Sequence, residues 1–203
     1  MISAALSITT SSLVRNSAII VASALLGACG GSVTPRTGFI PPAVELAKLD
    51  GLTSEWRVMG FDASDYGEII VYPVKMPNTD DYGDLDAEKI EEVRSIFDRK
   101  LREAVGSQRG TGTKPLVIQA AVTKIKPNRP ILNVAPQSQI MKRGYGFASC
   151  EIFASVGEGG PVVAAYMQTT DTSRFSTEKL SATGTAERGC GEWADAFVAL
   201  LRR

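Results

Sequence analysis

Residues 86–105 read DAEKIEEVRSIFDRKLREAV, and this stretch decides the fold class because it is the strongest periodic segment of the chain. Its apolar residues recur at helical spacing as Ile90, Val93, Ile96, Phe97, Leu101 and Val105. One apolar stripe of this kind predicts an amphipathic helix packed on a core. Asp84 or Asp86 can cap the start of the helix, and Gly106 is the expected stop.

Apolar runs on both sides of this helix predict strands. Residues 68–76 form the first run, and Pro73 within it indicates an edge strand or a bulge. Residues 116–125 form the second run, with alternate apolar side chains on one face. A strand, a helix and a strand in succession predict a right-handed parallel crossover.

The second half of the chain predicts a hairpin and a final helix. Residues 145–156 and 162–169 alternate between two faces and flank a glycine-rich turn. Residues 192–203 are amphipathic and end in two arginines. We therefore predict one α+β domain over residues 49–203. Its mixed sheet has four strands or slightly more, its helices lie on one face, and its element order is β-α-β-β-β-α.

The N-terminus has the pattern of a secretory signal peptide, predicted over residues 1–28. Arg15 precedes the apolar run 17–26, which is about half of the roughly 20 residues that a membrane-spanning helix needs. The run ends in the sequence Leu-Gly-Ala-Cys, which resembles the lipobox of bacterial lipoproteins. In such proteins the cysteine, here Cys29, carries the lipid, including palmitate, and a peptidase cuts before it. An ordinary cleaved signal is the alternative.

Residues 29–48 are rich in proline and glycine and predict a flexible tether after the lipidated cysteine. Gly38, Phe39 and Ile40 within it are expected to dock on the domain. Gly30 follows Cys29 where an aspartate would resemble an inner-membrane retention signal. The sequence thus favours the outer membrane on its periplasmic side, with the lipid on Cys29 as the contact with the membrane.

Composition excludes several classes of site. The chain has 203 residues, 22 basic and 22 acidic, and no histidine. Serine–histidine triads, zinc–histidine sites and histidine pH switches are therefore excluded. We predict no catalytic residue, no metal and no cofactor, and the zero formal charge gives no reason to expect a nucleic-acid partner.

Two further sets of residues are candidates. Cys150 and Cys190 could form a disulfide in an oxidising compartment, and two buried reduced thiols are the alternative. Five cations flank the long loop 126–142 and could contact lipid headgroups or an acidic partner: Lys124, Lys126, Arg129, Lys142 and Arg143. A solvated rim is the alternative for these cations.

Taken in order, these segments resemble a known family. The resemblance is carried by the lipobox, by Gly38-Phe39-Ile40, by the Val-Tyr-Pro-Val strand at 71–74, by Leu116–Thr123, by Cys150-Glu151 and by Glu192-Trp193-Ala194. They resemble the bacterial lipoproteins catalogued as domain of unknown function 3313. The resemblance implies an envelope lipoprotein and transfers only Cys29 as a site.

The sequence favours a non-enzymatic envelope lipoprotein that binds a protein partner as an accessory subunit. Strands at free edges of a mixed sheet suit contacts by strand addition. Lipid or glycan binding, in a cleft under the long loop, is the alternative. A carboxylate-based hydrolase is a third hypothesis, which needs two acids converging in one cleft.

Overall fold

Six strands form one open mixed sheet in the computed structural model, which describes residues 36–106, 110–134, 144–173 and 176–203. The strands are β1 (Ala47–Lys48), β2 (Thr53–Arg57), β3 (Ile69–Val71), β4 (Leu116–Lys126), β5 (Phe147–Val156) and β6 (Val162–Asp171). Their order across the sheet is β1-β2-β6-β5-β4-β3. β3 and β4 are parallel, and the other neighbouring strands are antiparallel.

The described residues form three α-helices: α1 (Ala87–Val105), α2 (Pro130–Val134) and α3 (Gly184–Arg202). The side chain of Asp86 caps α1 by accepting a hydrogen bond from the backbone N–H of Lys89 at 2.8 Å. Gly106, with φ of 59°, ends it. In the part of the chain that is described, no helix has the length and apolarity needed to cross a membrane.

The α+β class and the mixed sheet are confirmed, but the sheet has six strands, where four or slightly more were predicted. The main elements run β-β-β-α-β-β-β-α, so the predicted order lacked its first two strands. β2 reads TSEWR and is mostly polar, and pairing with β6 holds it in the sheet. Such a strand carries little apolar periodicity to find in a sequence.

The predicted neighbours of α1 are confirmed. β3 is an edge strand parallel to β4, as Pro73 and the strand–helix–strand order indicate. β5 and β6 form the predicted hairpin. β3 is shorter than the predicted run 68–76, although Lys75 makes one further bridge to Ala121 of β4.

One face of the sheet packs against α1 and α3 and forms the main core. Val93, Phe97 and Leu101 of α1 and Trp193 of α3 are fully buried there. The rings of Phe97 and Trp193 meet edge to face, with centroids 5.4 Å apart. The indole N–H of Trp193 donates a hydrogen bond to the hydroxyl of Thr170 at 2.9 Å. The buried ring therefore has a partner for its polar group as well as close packing.

The opposite face of the sheet, called the outer face below, is covered by residues 36–46, which we call the strap. Ile40 and Val44 of the strap pack on Phe153, Ala165 and Met167. The predicted docking of Gly38-Phe39-Ile40 is thus confirmed, and residues 36–46 of the predicted tether lie against the domain. A polar sheet face would need no such cover, whereas this one has apolar side chains to bury.

α3 begins at Gly184, eight residues before the predicted start at 192. Three glycines lie between its start and Trp193, and glycine is a poor helix former. Two of them are required by close approach. A Cβ on Gly184 would lie 2.5 Å from the carbonyl oxygen of Glu178, and one on Gly189 would lie 2.6 Å from the Trp193 ring.

Candidate functional site

Glu151 fastens the strap to the sheet. It lies on the outer face of β5, near the middle of the sheet, and only 1% of it is exposed. Oε1 accepts hydrogen bonds from the backbone N–H of Thr37 at 2.6 Å and from its hydroxyl at 2.9 Å, and Oε2 accepts one from the N–H of Ile40 at 2.9 Å. A buried carboxylate is costly unless it is hydrogen-bonded, and here three donors compensate it.

Arg36 closes the strap on itself. Its guanidinium donates to the carbonyl of Val44 at 2.8 Å and to that of Ile40 at 2.9 Å, with a further bond to the carbonyl of Pro41. Phe39 adds a ring contact to Phe153 of β5, with centroids 5.5 Å apart. The strap is therefore a structured part of the domain from its first described residue.

A β-bulge in β4 decides where two of the predicted cations lie. The pairing of β4 with β5 shifts register between Val122 and Lys124. Val122 and Ile125 both face the main core, although they are three residues apart. A strand without a bulge would turn residues 122, 124 and 126 to the same face. The bulge instead keeps the side chains of Lys124 and Lys126 out of the core.

Lys124, Lys126 and Arg129 line one groove of about 700 Å³ beside the end of β4. Three carboxylates line it as well, Asp80, Asp81 and Asp84, from the segment that leads into α1. We call this the charged groove. The structure thus brings together the three described cations of the predicted patch, and it adds acids that make the surface mixed in charge.

Few of these charges pair with one another. Lys124 lies 3.9 Å from Asp81, and this is the one ion pair between groove residues in the described part of the chain. Within that part, Asp80, Asp84, Lys126 and Arg129 have no opposite charge within 4.0 Å. Most of the groove's charge is therefore free to meet a solute.

Tyr145 forms part of the groove wall just before β5. It is 7% exposed, and its hydroxyl is a buried polar atom without a hydrogen-bond partner among the described residues. An unsatisfied buried hydroxyl costs about 1–3 kcal/mol, so such atoms are few in folded proteins. The residue that forms this part of the groove wall therefore has a buried hydroxyl that is not satisfied by the described residues.

A second groove of about 590 Å³ adjoins the first and shares Asp81 and Lys124 with it. Arg36, Thr37 and Phe39 of the strap line its other side. The charged groove therefore neighbours a groove at the start of the strap, which is the part of the described chain nearest in sequence to Cys29.

Some of the predicted site residues lie outside the described residues. These are Cys29 with the signal peptide 1–28, and Lys142 and Arg143 of the long loop. In the described residues, no group of three or more His, Cys, Asp or Glu side chains is placed to hold a metal ion.

Cys150 and Cys190 are both buried, and both are free thiols in the structure. They belong to the same main core, Cys150 from β5 and Cys190 from α3. Burial raises the pKa of the Cys150 thiol well above its ordinary value, and burial also raises the pKa of Cys190. Both groups therefore stay protonated at neutral pH, which suppresses their reactivity as nucleophiles.

Comparison with protein families gives one match. The family described as "Protein of unknown function (DUF3313)" matches residues 44–197, which is most of the chain. The chain belongs to this family. In this DUF3313 protein the matched region includes β1 to β6, α1 and the whole charged groove, and it begins within the strap.

Comparison with solved structures gives matches at low sequence identity. A PelC dodecamer from Paraburkholderia phytofirmans is 12% identical, with coverage of 75% of this chain and 100% of that one and a TM-score of 0.43. A candidate lipoprotein from Caulobacter crescentus is 10% identical, with coverage of 66% and 83% and a TM-score of 0.32. The comparison with curated proteins finds no match.

The sequence analysis of this DUF3313 chain missed two parts of the site. Glu151 was named only among the residues that carry the family resemblance and was not predicted to be a site residue. A charged residue between apolar neighbours of a central strand indicates a buried polar contact, so the sequence did contain a signal for it. Asp80, Asp81 and Asp84 were not among the predicted site residues. Their approach to β4 depends on tertiary packing, which the hydrogen bond from the Tyr82 hydroxyl to the Val122 carbonyl fixes at 2.9 Å.

Proposed function

We propose that this protein is a lipid-anchored envelope lipoprotein that acts as a non-enzymatic binding or accessory subunit. Its anchor is the lipid on Cys29, at the periplasmic side of the outer membrane. The observation that carries the proposal is the fastening of the strap to the sheet. Only residues 30–35 lie between Cys29 and Arg36, so an extended link spans at most about 25 Å. A short link to a fixed strap suits a domain that works close to the membrane surface.

The partner in this proposal is another envelope protein. The six-stranded sheet is open, with β1 and β3 at its two edges, and strand addition at an open edge is one route of contact. Ile131 of α2 is 89% exposed, and the nearby Leu132 and Leu180 are also exposed. Exposed apolar side chains grouped in this way favour a protein contact.

Replacement of Cys29 tests the anchor. We expect Cys29→Ser to abolish labelling with a radioactive or alkyne-tagged fatty acid and to leave uncut precursor, because only the thiol forms the thioether. Cys150→Ser is the matched control and should keep full labelling, since that thiol is buried. Unchanged labelling of Cys29→Ser would remove the lipoprotein assignment.

Crosslinking in cells tests the accessory role. Photoreactive residues at Glu68, beside β3, and at Ile131 sample the two surfaces named above, and both positions are exposed. A recurrent protein adduct at either position, identified by mass spectrometry, is the expected result. Adducts of lipid or glycan with no protein would instead favour the second candidate below.

Lipid or glycan binding is the second candidate, favoured by the charged groove beside the loop that the sequence analysis singled out. A carboxylate-based hydrolase is a weaker candidate. Three acids do line the groove, but Asp80 and Asp84 are exposed and Asp81 faces Lys124. Such a hydrolase needs two acids that converge on the substrate in one cleft, and the nearest charged partner of Asp81 is Lys124 rather than a second acid.

A further inference from the structure

In the charged groove, the acidic and the basic side chains come from two different segments of the chain. The carboxylates of Asp80, Asp81 and Asp84 come from one stretch of chain, and the cations Lys124, Lys126 and Arg129 come from another. A solute that carried only one sign of charge would meet repulsion from half of these groups. A solute with an ammonium at one end and a phosphate at the other would match both sides.

Two observations favour such a ligand over a merely solvated rim. Four of the six charges have no opposite charge within 4.0 Å in the described residues, so a ligand would not have to break ion pairs. Tyr145 of the groove wall also has a buried hydroxyl without a hydrogen-bond partner among the described residues, and a movement of this side chain toward the groove would let it donate to a phosphate or accept from an ammonium.

The type of ammonium follows from the lining. A quaternary ammonium is bound by several aromatic faces, whereas a primary ammonium donates hydrogen bonds to carboxylates. The groove contains three carboxylates and only two aromatic residues, Tyr145 and Phe147. The lining therefore favours a primary ammonium.

The position of the charged groove in the chain indicates where its ligand would come from. The groove shares Asp81 and Lys124 with a second groove that is lined by Arg36, the first residue of the strap. Six residues separate Arg36 from Cys29, so a lipid on that cysteine would hold this side of the domain near the bilayer. We infer that the charged groove binds the headgroup of a membrane phospholipid that combines a phosphate with a primary ammonium. The position argument rests on the proposed lipid anchor.

The first experiment measures binding of soluble headgroups to the full chain in non-ionic detergent. Glycerophosphoethanolamine, glycerophosphocholine and inorganic phosphate are titrated separately, and amide NMR shifts of Lys126 and Gly144 are followed. We expect saturable binding that is strongest for glycerophosphoethanolamine. No binding of this probe, or equal binding of inorganic phosphate, overturns the inference.

Two double variants test which side of the charged groove binds the phosphate and which side binds the ammonium. Lys126→Ala with Arg129→Ala should weaken binding of glycerophosphoethanolamine by at least about tenfold, because charge-assisted hydrogen bonds to the phosphate are lost. Asp80→Asn with Asp84→Asn should remove most of the preference over glycerophosphocholine. Arg99→Ala with Lys100→Ala, on the exposed side of α1, is the matched control and should leave binding unchanged. Equal loss in the control pair contradicts a specific site.

A second arm separates the lipid from a soluble phosphodiester. The lipidated protein is placed in nanodiscs of phosphatidylethanolamine or of phosphatidylcholine, which carry no net charge. Groove shifts in the first nanodisc alone support the lipid source, and identical spectra overturn it. Soluble headgroup binding does not require lipidation, so failure of this inference and failure of the Cys29 labelling test are distinguishable.

Discussion

Glu151 is the residue on which the position of the strap depends most. Its carboxylate accepts from two backbone N–H groups and one hydroxyl of the strap, and no other described group does so. We expect Glu151→Ala to lower the free energy of unfolding by about 2–4 kcal/mol, because the buried N–H of Ile40 and the partly buried N–H of Thr37 lose their acceptor. Urea unfolding measures this loss. Trypsin cleavage after Arg36, followed by mass spectrometry, should become faster.

Two further variants sharpen this test. Glu151→Gln keeps the shape of the side chain but replaces one acceptor oxygen by a donor, so it should lie between the wild type and Glu151→Ala. Glu45→Ala removes a carboxylate from an exposed position of the same strap and should change stability by less than about 0.5 kcal/mol. Equal effects of Glu45→Ala and Glu151→Ala would contradict the fastening role.

At the scale of elements, α3 provides a matched pair of glycines. A Cβ on Gly189 would lie 2.6 Å from the Trp193 ring, whereas a Cβ on Gly191 would meet nothing within 4 Å. We expect Gly189→Ala to destabilise by about 1–3 kcal/mol through overpacking. Gly191→Ala should stabilise by about 0.5–1 kcal/mol, because alanine is the better helix former.

Thermal unfolding followed by circular dichroism measures both glycine variants. Opposite shifts of the midpoint are expected, and near-ultraviolet signals should report the displaced indole in Gly189→Ala alone. A lower midpoint for Gly191→Ala would contradict the helical assignment of residues 184–191.

The same helix shows why part of the fold was accessible to sequence analysis and part was not. α1, β4 and the β5–β6 hairpin have periodic apolar faces, and each was predicted close to its bounds. The first turns of α3 contain glycines that serve contacts with Glu178 and Trp193, so their sequence argues against a helix. β2 is held by pairing with β6 rather than by an apolar face of its own.

The charged groove was predictable only in part for a similar reason. Lys124, Lys126 and Arg129 follow one another closely, so their grouping could be predicted. The bulge after Val122 could also have been found, since two core residues three apart break the alternation of a strand. The acids lie about 40 residues earlier in the chain. Their position depends on tertiary packing, including the bond from Tyr82 to Val122, that no local pattern encodes.

Considered as a whole molecule, the domain has two unlike cores on the two faces of one sheet. The main core is built by two long helices, and the core on the outer face is closed by the strap. Because the strap packs on the outer face alone, a force applied to the chain at Arg36 would act on the Glu151 contacts before it reached the main core. The outer face is therefore the part of the fold whose integrity depends most directly on the strap.

The response of the whole molecule to pH follows from its titratable groups. Hydrogen bonds from Arg102 and burial act in opposite directions on Asp98, and the net result is a lowered pKa. The pKa of Asp50, Asp62 and Glu178 is also lowered, mainly by hydrogen bonds. A lowered pKa in the folded state means that the unfolded state binds protons first as pH falls. This stability is present above about pH 4 and is lost below it.

At alkaline pH, stability falls as pH rises, which is the opposite of its dependence at acid pH. The thiols of Cys150 and Cys190 have raised pKa values in the folded state, so their contribution is present below about pH 8.5, where an unfolded thiol titrates, and is lost as pH rises above it. The chain has no histidine to titrate between these limits. We expect urea midpoints to be flat between about pH 5.5 and 8 and to fall on both sides. Asp98→Asn should lessen the fall at acid pH, and a midpoint that changes within the flat range would contradict this account.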